Sequence, residues 1–238
     1  MAGMSMTLRV VVPPHPLIAH WLTVLRNRET PAPLFATAMT ELGRWLTYEA
    51  LRDWLPERTV ALQTPLAASE GRVIDSSVPV LAIPVLRGGL GLWQGAQTVL
   101  PACHVAHVGL EVIGGLPAAG SSSSSHWYLD DLPEAVGERV GVLVFLPVLA
   151  RGATLLALLE RLSRLGIQGK RLRVITSLAA APGLKAVGER FEDVTIYCAC
   201  IDPELDADGR ILPGFGDAAR RLYGTGSPGC LGCSRCLG

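Results

Sequence analysis

GVLVFLPVLARGATLLALLERLSRL, residues 141–165, decides the fold of this chain. Gly141 to Ala150 is the longest apolar run in the sequence, broken only by Pro147 and bounded by Arg139 and Arg151. A membrane helix needs about 20 apolar residues, so this run does not span a bilayer. A strand buried on both faces reads as such a run, and buried strands of that kind belong to parallel sheets. The pattern predicts a strand over 140–146, a loop over 147–153 and an apolar helix over 154–165.

The same rhythm recurs on either side. Residues 78–86 read as a strand, followed by the turn Arg87-Gly88-Gly89-Leu90-Gly91 and a helix to about Val99. Residues 103–112, 172–178 and 194–201 read as further strands, and 182–190 as a short helix. Alternating strands and helices specify an α/β fold, a parallel sheet flanked by helices. Ligands in such folds sit at the carboxyl ends of the strands, which directs attention to the turns at 87–91, 147–154 and 209–218. Upstream, Leu17, Ile18, Trp21, Leu22 and Leu25 have helical spacing; a second helix is expected from about Pro33 to Trp54, and residues 58–68 as a peripheral strand. Residues 113–139 stand outside the rhythm and carry five consecutive serines at 121–125. They are expected to form a flexible arm or hood, with Trp127 and Tyr128 able to grip a neighbour.

Composition sets limits. The 238 residues are 49% hydrophobic and 18% charged, with 21 basic and 21 acidic side chains. That balance suits a globular protein with a large core and gives no broad nucleic-acid surface. No basic start followed by an apolar segment opens the chain, and no membrane partner is expected. Cys103, Cys198 and Cys200 lie in strand-like stretches and read as small buried hydrophobes. Cys230, Cys233 and Cys236 cluster in a tail over 226–238, unlike a secreted disulfide framework, so a cytoplasmic location is expected. Thiolates at this spacing suit zinc or part of an iron–sulfur cluster, with Cys198, Cys200 or a second subunit supplying a fourth ligand. Redox thiols, a protein contact through the tail and no function are the other readings. His15, His20, His104, His107 and His126 form no cluster; His104 and His107 are placed on opposite faces of one strand. The turn at 87–91 lacks the first glycine of a dinucleotide fingerprint. Asp202, Glu204, Asp206 and Asp208 read as a solvated turn, lacking the twelve-residue calcium pattern.

Six segments carry a resemblance to one family. HPLIAHWLTVLR (15–26), LTYEA (46–50), PVLRGGLGL (84–92), LPVLARGAT (146–154), AAAPGL (179–184) and YCACIDPELDADGRILPGFGDAARRLYGT (197–225) resemble, in order and spacing, the motifs of uracil phosphoribosyltransferases. The resemblance covers about 15–225. It implies a type I phosphoribosyltransferase fold over residues 1–225, a homodimer, and a small-molecule ligand such as uracil, a nucleotide or another phosphate compound. It also implies transfer of a phosphoribosyl group to uracil, with release of pyrophosphate and a requirement for Mg2+. Ala150, Arg151, Gly152, Ala153 and Thr154 then form the phosphate turn, because free N–H groups at a helix start hold anions. Arg87 is a catalytic arginine at the pyrophosphate. Ile211, Gly216, Asp217 and Ala218 read the base, with Asp217 also a catalytic residue near the ribose pyrophosphate.

Some positions depart from the family pattern. Leu146 stands where the family has an aspartate that bonds the ribose hydroxyls, Val112 near where it has a second arginine, Arg151 for a threonine and Ala153 for a glycine. Asp131 stands at a basic position of the arm. These departures imply weak or absent transferase activity and a ligand-binding, regulatory or scaffold role; the alternative is an active enzyme of pyrimidine salvage.

Overall fold

A computed structural model describes residues 8–100, 103–113 and 124–225. In chain order its elements begin with β1 (Arg9–Val11), α1 (Pro16–Arg26), α2 (Ala32–Leu51), β2 (Glu57–Gln63), β3 (Ala68–Ile74), β4 (Val80–Pro84) and α3 (Gly89–Ala96). Next come β5 (His104–Val105), β6 (Val108–Ile113), β7 (Ser124–Asp130), β8 (Gly141–Leu149) and α4 (Ala153–Arg164). The chain continues with β9 (Leu172–Ala180), α5 (Ala181–Gly188), β10 (Thr195–Asp202), β11 (Glu204–Leu205), β12 (Ile211–Leu212) and α6 (Ala218–Tyr223). Six strands form one parallel sheet in the order β1-β10-β9-β8-β4-β5. The expected sheet flanked by helices is therefore present.

Side chains of a strand alternate between faces, and here both faces are covered. Val142, Val144, Val174 and Ile196 enter one core with the leucines of α4. Leu143, Phe145, Ile175 and Tyr197 enter the other with Phe35, Leu42 and Leu46 of α2. Every residue of β9 is buried, including the polar Arg173, Thr176 and Ser177. Local signals set the helix starts: Pro16 occupies the first turn of α1 and His15 Nδ1 accepts the Leu17 N–H at 3.1 Å. No helix among the described residues is long and apolar enough to cross a membrane.

Four expectations need correction. The strand expected over 103–112 is two: β5 pairs with β4, whereas β6 leaves the sheet and pairs antiparallel with β7. His104 and His107 consequently do not share a strand. The strand expected to stop at Leu146 runs on to Leu149, because the β8–β9 ladder passes over Pro147 and resumes at Val148 opposite Leu178. A two-stranded hairpin, β2 with β3, occupies 57–74, where one peripheral strand over 58–68 was expected. Trp127 packs half-buried against the core, its Nε1 donating to Ser125 Oγ at 3.0 Å. The low-complexity stretch 114–123 and the cysteine tail 226–238 lie outside the described residues.

Candidate active site

Three turns leave the carboxyl edge of the sheet and meet there. The first follows β8. Ala150 and Arg151 precede Gly152, whose φ of +87° is the left-handed conformation that glycine adopts at little cost. Gly152 is the N-cap of α4 and makes no side-chain cap bond, so the first N–H groups of a twelve-residue helix face the turn. Those donors and the helix dipole make an anion site. The turn opens on a cleft of about 310 Å³, bordered by Ala150 to Thr154, Val112, Leu146, Asp208 and Gly209.

The second turn follows β4. Its peptide between Leu86 and Arg87 is cis. Two tyrosines from distant elements hold its carbonyls: Tyr128 Oη donates to Leu86 O at 3.4 Å, and Tyr223 Oη donates to Arg87 O at 3.0 Å. The exposed Arg87 guanidinium lies 5.9 Å from the centre of the Tyr223 ring. Burial pushes the Tyr223 phenol up, with Arg87 opposing it, so Tyr223 remains a neutral donor at pH 7.

The third turn, 203–217, is anchored from below. Asp202 is 3% exposed. Its carboxylate accepts Arg26 Nη2 at 2.6 Å, Arg26 Nη1 at 3.0 Å and the Gly214 N–H at 3.0 Å. Arg26 also donates to Gly214 O at 3.1 Å, and the bonds to Asp202 raise its pKa further. Arg221 donates to Leu25 O at 2.6 Å, Phe215 O at 2.9 Å and Asn27 O at 2.7 Å. The loop is thus bolted to the end of α1. Asp202 is a buried anchor, not part of a solvated acidic turn, which corrects the expectation for the first acid of that series. A second cleft, of about 330 Å³, lies between this loop and the second turn, bordered by Arg87, Arg210, Ile211, Gly216, Asp217 and Ala218. Asp217 Oδ1 caps α6 by accepting the Arg220 N–H at 3.0 Å, and its side chain is half exposed.

The two clefts share Val148, Ala150 and Gly209 along their borders. Every described residue proposed from the sequence for phosphate or base therefore lines one continuous groove. Two departures lie in it as well: Leu146, buried in the core beneath, and Val112 both face the phosphate turn. Arg151 reaches across the groove. Its guanidinium rests against Gly209, where a Cβ would collide with it, and its Nη2 lies 3.5 Å from Ala207 O. Sequence reasoning missed Arg26, Asp202, Arg221 and Tyr223; their partners are far away in the chain, and no local spacing marks them.

Cys230, Cys233 and Cys236 lie outside the described residues. Among the described residues no three His, Cys, Asp or Glu side chains converge as a metal site. Cys198 is fully buried, and burial pushes its thiol up to about 12. Cys200 and Cys103 are half-buried.

A six-stranded parallel sheet flanked by helices, with turns meeting at its carboxyl edge, is the type I phosphoribosyltransferase fold. The family model for uracil phosphoribosyltransferase matches residues 12–225. A protein of that name from Synechococcus elongatus is 46% identical over 222 residues, covering 93% of this chain and all of the relative. One from Nicotiana tabacum is 39% identical over 216 residues, covering 91% and 94%. In three dimensions the AQ2163 protein from Aquifex aeolicus aligns with a TM-score of 0.78 at 30% identity, covering 92% of this chain and 99% of that one. The chain belongs to the uracil phosphoribosyltransferase family.

Proposed function

We propose that this protein is an active uracil phosphoribosyltransferase, joining uracil to phosphoribosyl pyrophosphate to give UMP and pyrophosphate. The observation that carries this reading is the continuous groove, with an anion-binding helix start at one end and the anchored 211–218 loop at the other. Relatives bearing that name and matching this chain over nearly their whole length support the active reading over the non-catalytic role that the sequence departures had suggested.

In this scheme the N–H groups of 151–154 and the Thr154 hydroxyl hold the 5′-phosphate. Arg87, fixed by Tyr223, faces the pyrophosphate. Backbone groups of Ile211, Gly216 and Ala218 read the uracil edge. Uracil N1 bonds to C1′ as the C1′–O bond breaks, its electron pair leaving with pyrophosphate and the N1 proton passing to solvent. Charge grows on the departing oxygens, so fixed cations aimed there lower the barrier. Asp217 sits beside the second cleft, where its half-exposed carboxylate, shared with Arg220, faces the positive charge developing on the ribose. Magnesium favours one or two carboxylates plus phosphate oxygens. Among the described residues Asp208 and Asp217 border the groove, and these carboxylates would hold an ion delivered with the pyrophosphate substrate.

One observation favours a second reading, a binding protein with little turnover: Leu146 and Val112 present alkyl groups to the phosphate cleft. Conversion of labelled uracil by the full chain, with and without magnesium phosphoribosyl pyrophosphate, separates the two. The proposal expects UMP formation that depends on the pyrophosphate substrate. Uracil binding without any UMP would replace it by the second reading.

A further inference from the structure

Helix α6 is only six residues long, yet both of its ends are fixed. At its start the Asp217 carboxylate accepts the Arg220 N–H, and Arg221 donates to Phe215 O, Leu25 O and Asn27 O. The Arg221 guanidinium lies 4.4 Å from the centre of the Phe35 ring, which seats the helix on α2. At its close Gly224 takes the left-handed conformation, with a φ of +61°, and its N–H bonds Arg220 O. A helix held in this way presents its last two side chains in set places. Leu222 packs on Gly91 of α3, where an added Cβ would come within 3.0 Å of its Cδ2. Tyr223 meets the turn just before α3, its Oη donating to Arg87 O at 3.0 Å.

Arg87 itself is exposed. An exposed arginine samples many rotamers, and a ligand that needs one of them loses affinity to the entropy of ordering it. Tyr223 limits that loss twice. Its hydroxyl holds the backbone carbonyl of Arg87, and its ring centre lies 5.9 Å from the guanidinium. A cation within about 6 Å of a ring face is attracted to it. The ring does this without engaging the N–H groups as a carboxylate would, so they remain available to an anion.

We infer that Tyr223 is a positioning residue for Arg87, holding it ready for pyrophosphate from the far end of the helix that the base loop begins. This rests on the reading of Arg87 proposed above. Tyr223 touches no reacting atom in this scheme; it acts through the arginine. Its hydroxyl and its ring make separable contributions, because phenylalanine keeps the ring and its packing and removes only the hydroxyl.

The test is calorimetric titration of the full chain with magnesium pyrophosphate and, separately, with UMP, for the native protein, Tyr223→Phe, Arg87→Met and the double variant. Tyr223→Phe should bind pyrophosphate about 2- to 10-fold more weakly, the worth of one neutral hydrogen bond. Its affinity for UMP, which carries no pyrophosphate group, should be unchanged. In the Arg87→Met background the same change should have no further effect, since no guanidinium is left to place. Unchanged pyrophosphate affinity in Tyr223→Phe would overturn the inference. So would an equal loss for UMP, or an undiminished loss in the Arg87→Met background, either of which would mean that Tyr223 merely packs α6 in place. No pyrophosphate binding by the native chain at millimolar concentration would overturn it together with the reading of Arg87. The expected pattern in a chain that converts no uracil would uphold the inference while the proposed function falls.

Discussion

Asp202→Ala tests whether the base loop owes its position to the end of α1. The Asp202 carboxylate is almost wholly buried and takes two hydrogen bonds from the Arg26 fork, one from the Gly214 N–H and a longer one from the Cys200 thiol. Removing one partner of a buried ion pair costs about 3–5 kcal/mol, because the other charge stays buried and unpaired. The Arg26 side chain is 24% exposed and keeps its bond to Gly214 O, so water relieves part of that penalty. A loss of about 2–4 kcal/mol in urea denaturation is expected, with an unchanged slope. Asp202→Asn keeps an acceptor for the Gly214 N–H and loses mainly the charge, so it should lie between the two. Arg26→Met combined with Asp202→Ala should cost less than the sum of the singles, since neither charge is then stranded. In turnover assays the KM for uracil should rise more than kcat falls, because Gly214 adjoins the base-reading backbone at Phe215–Ala218. A stability loss below about 1 kcal/mol, the worth of an ordinary exposed pair, would refute the anchoring role.

Gly209→Ala should lower kcat/KM by at least ten-fold, about 1.4 kcal/mol, since its φ of +82° strains any side chain there and an added Cβ would also displace the Arg151 guanidinium; steady-state kinetics on the folded variant checks this. Val112→Arg with Leu146→Asp should raise kcat/KM for phosphoribosyl pyrophosphate by one to two decades or so, as a fixed charge at such a centre is worth about 10²–10³ in rate; no gain in the folded variant would show that these positions do not limit turnover. Cys198 should resist iodoacetamide at pH 8.5 in the native chain and react after unfolding, read by mass spectrometry, because burial raises its thiol to about 12. The sign for stability follows: the thiol's contribution is intact below the ordinary thiol range and is lost as pH rises towards 12, where the unfolded chain is deprotonated and the folded one is not.

What was legible in the sequence was whatever a local pattern encodes. Continuous apolar runs gave β4 and β8, since a strand buried on both faces needs no polar alternation. The loop between β8 and α4 was legible as a short stretch between strand and helix, and the resemblance to the family marked it as the phosphate turn. Elements without a core face escaped. β2 and β3 bury only their central residues partly, and β1 is three residues at a sheet edge. Pro147 resembled a stop because proline cannot donate to a ladder, yet the ladder resumes one residue later. The anchor of the base loop was invisible for another reason: Arg26 and Asp202 are 176 residues apart, and no spacing rule reaches that far.

Arg151 is the position where the sequence reading and the geometry meet. The candidate anion site at α4 is made of backbone N–H groups, so the side chains of Arg151 and Ala153 leave those donors in place. Leu146 and Val112 present alkyl groups to the same cleft. Arg151 adds a cation at the mouth of the same cleft, and nothing but Gly209 and a long contact to Ala207 O holds it there in the free protein. A guanidinium so weakly committed is available to a phosphate, where it makes two parallel charge-assisted bonds. Such bonds are worth about 1.5–3 kcal/mol, so Arg151→Ala should raise the KM for phosphoribosyl pyrophosphate by about 10- to 150-fold. The KM for uracil should change little, because Asp202 and Arg221, not Arg151, secure the base loop. Steady-state kinetics with each substrate varied in turn reads both numbers. A rise confined to uracil would mean that Arg151 is a packing strut for the 206–209 loop and that the phosphate is held by backbone alone.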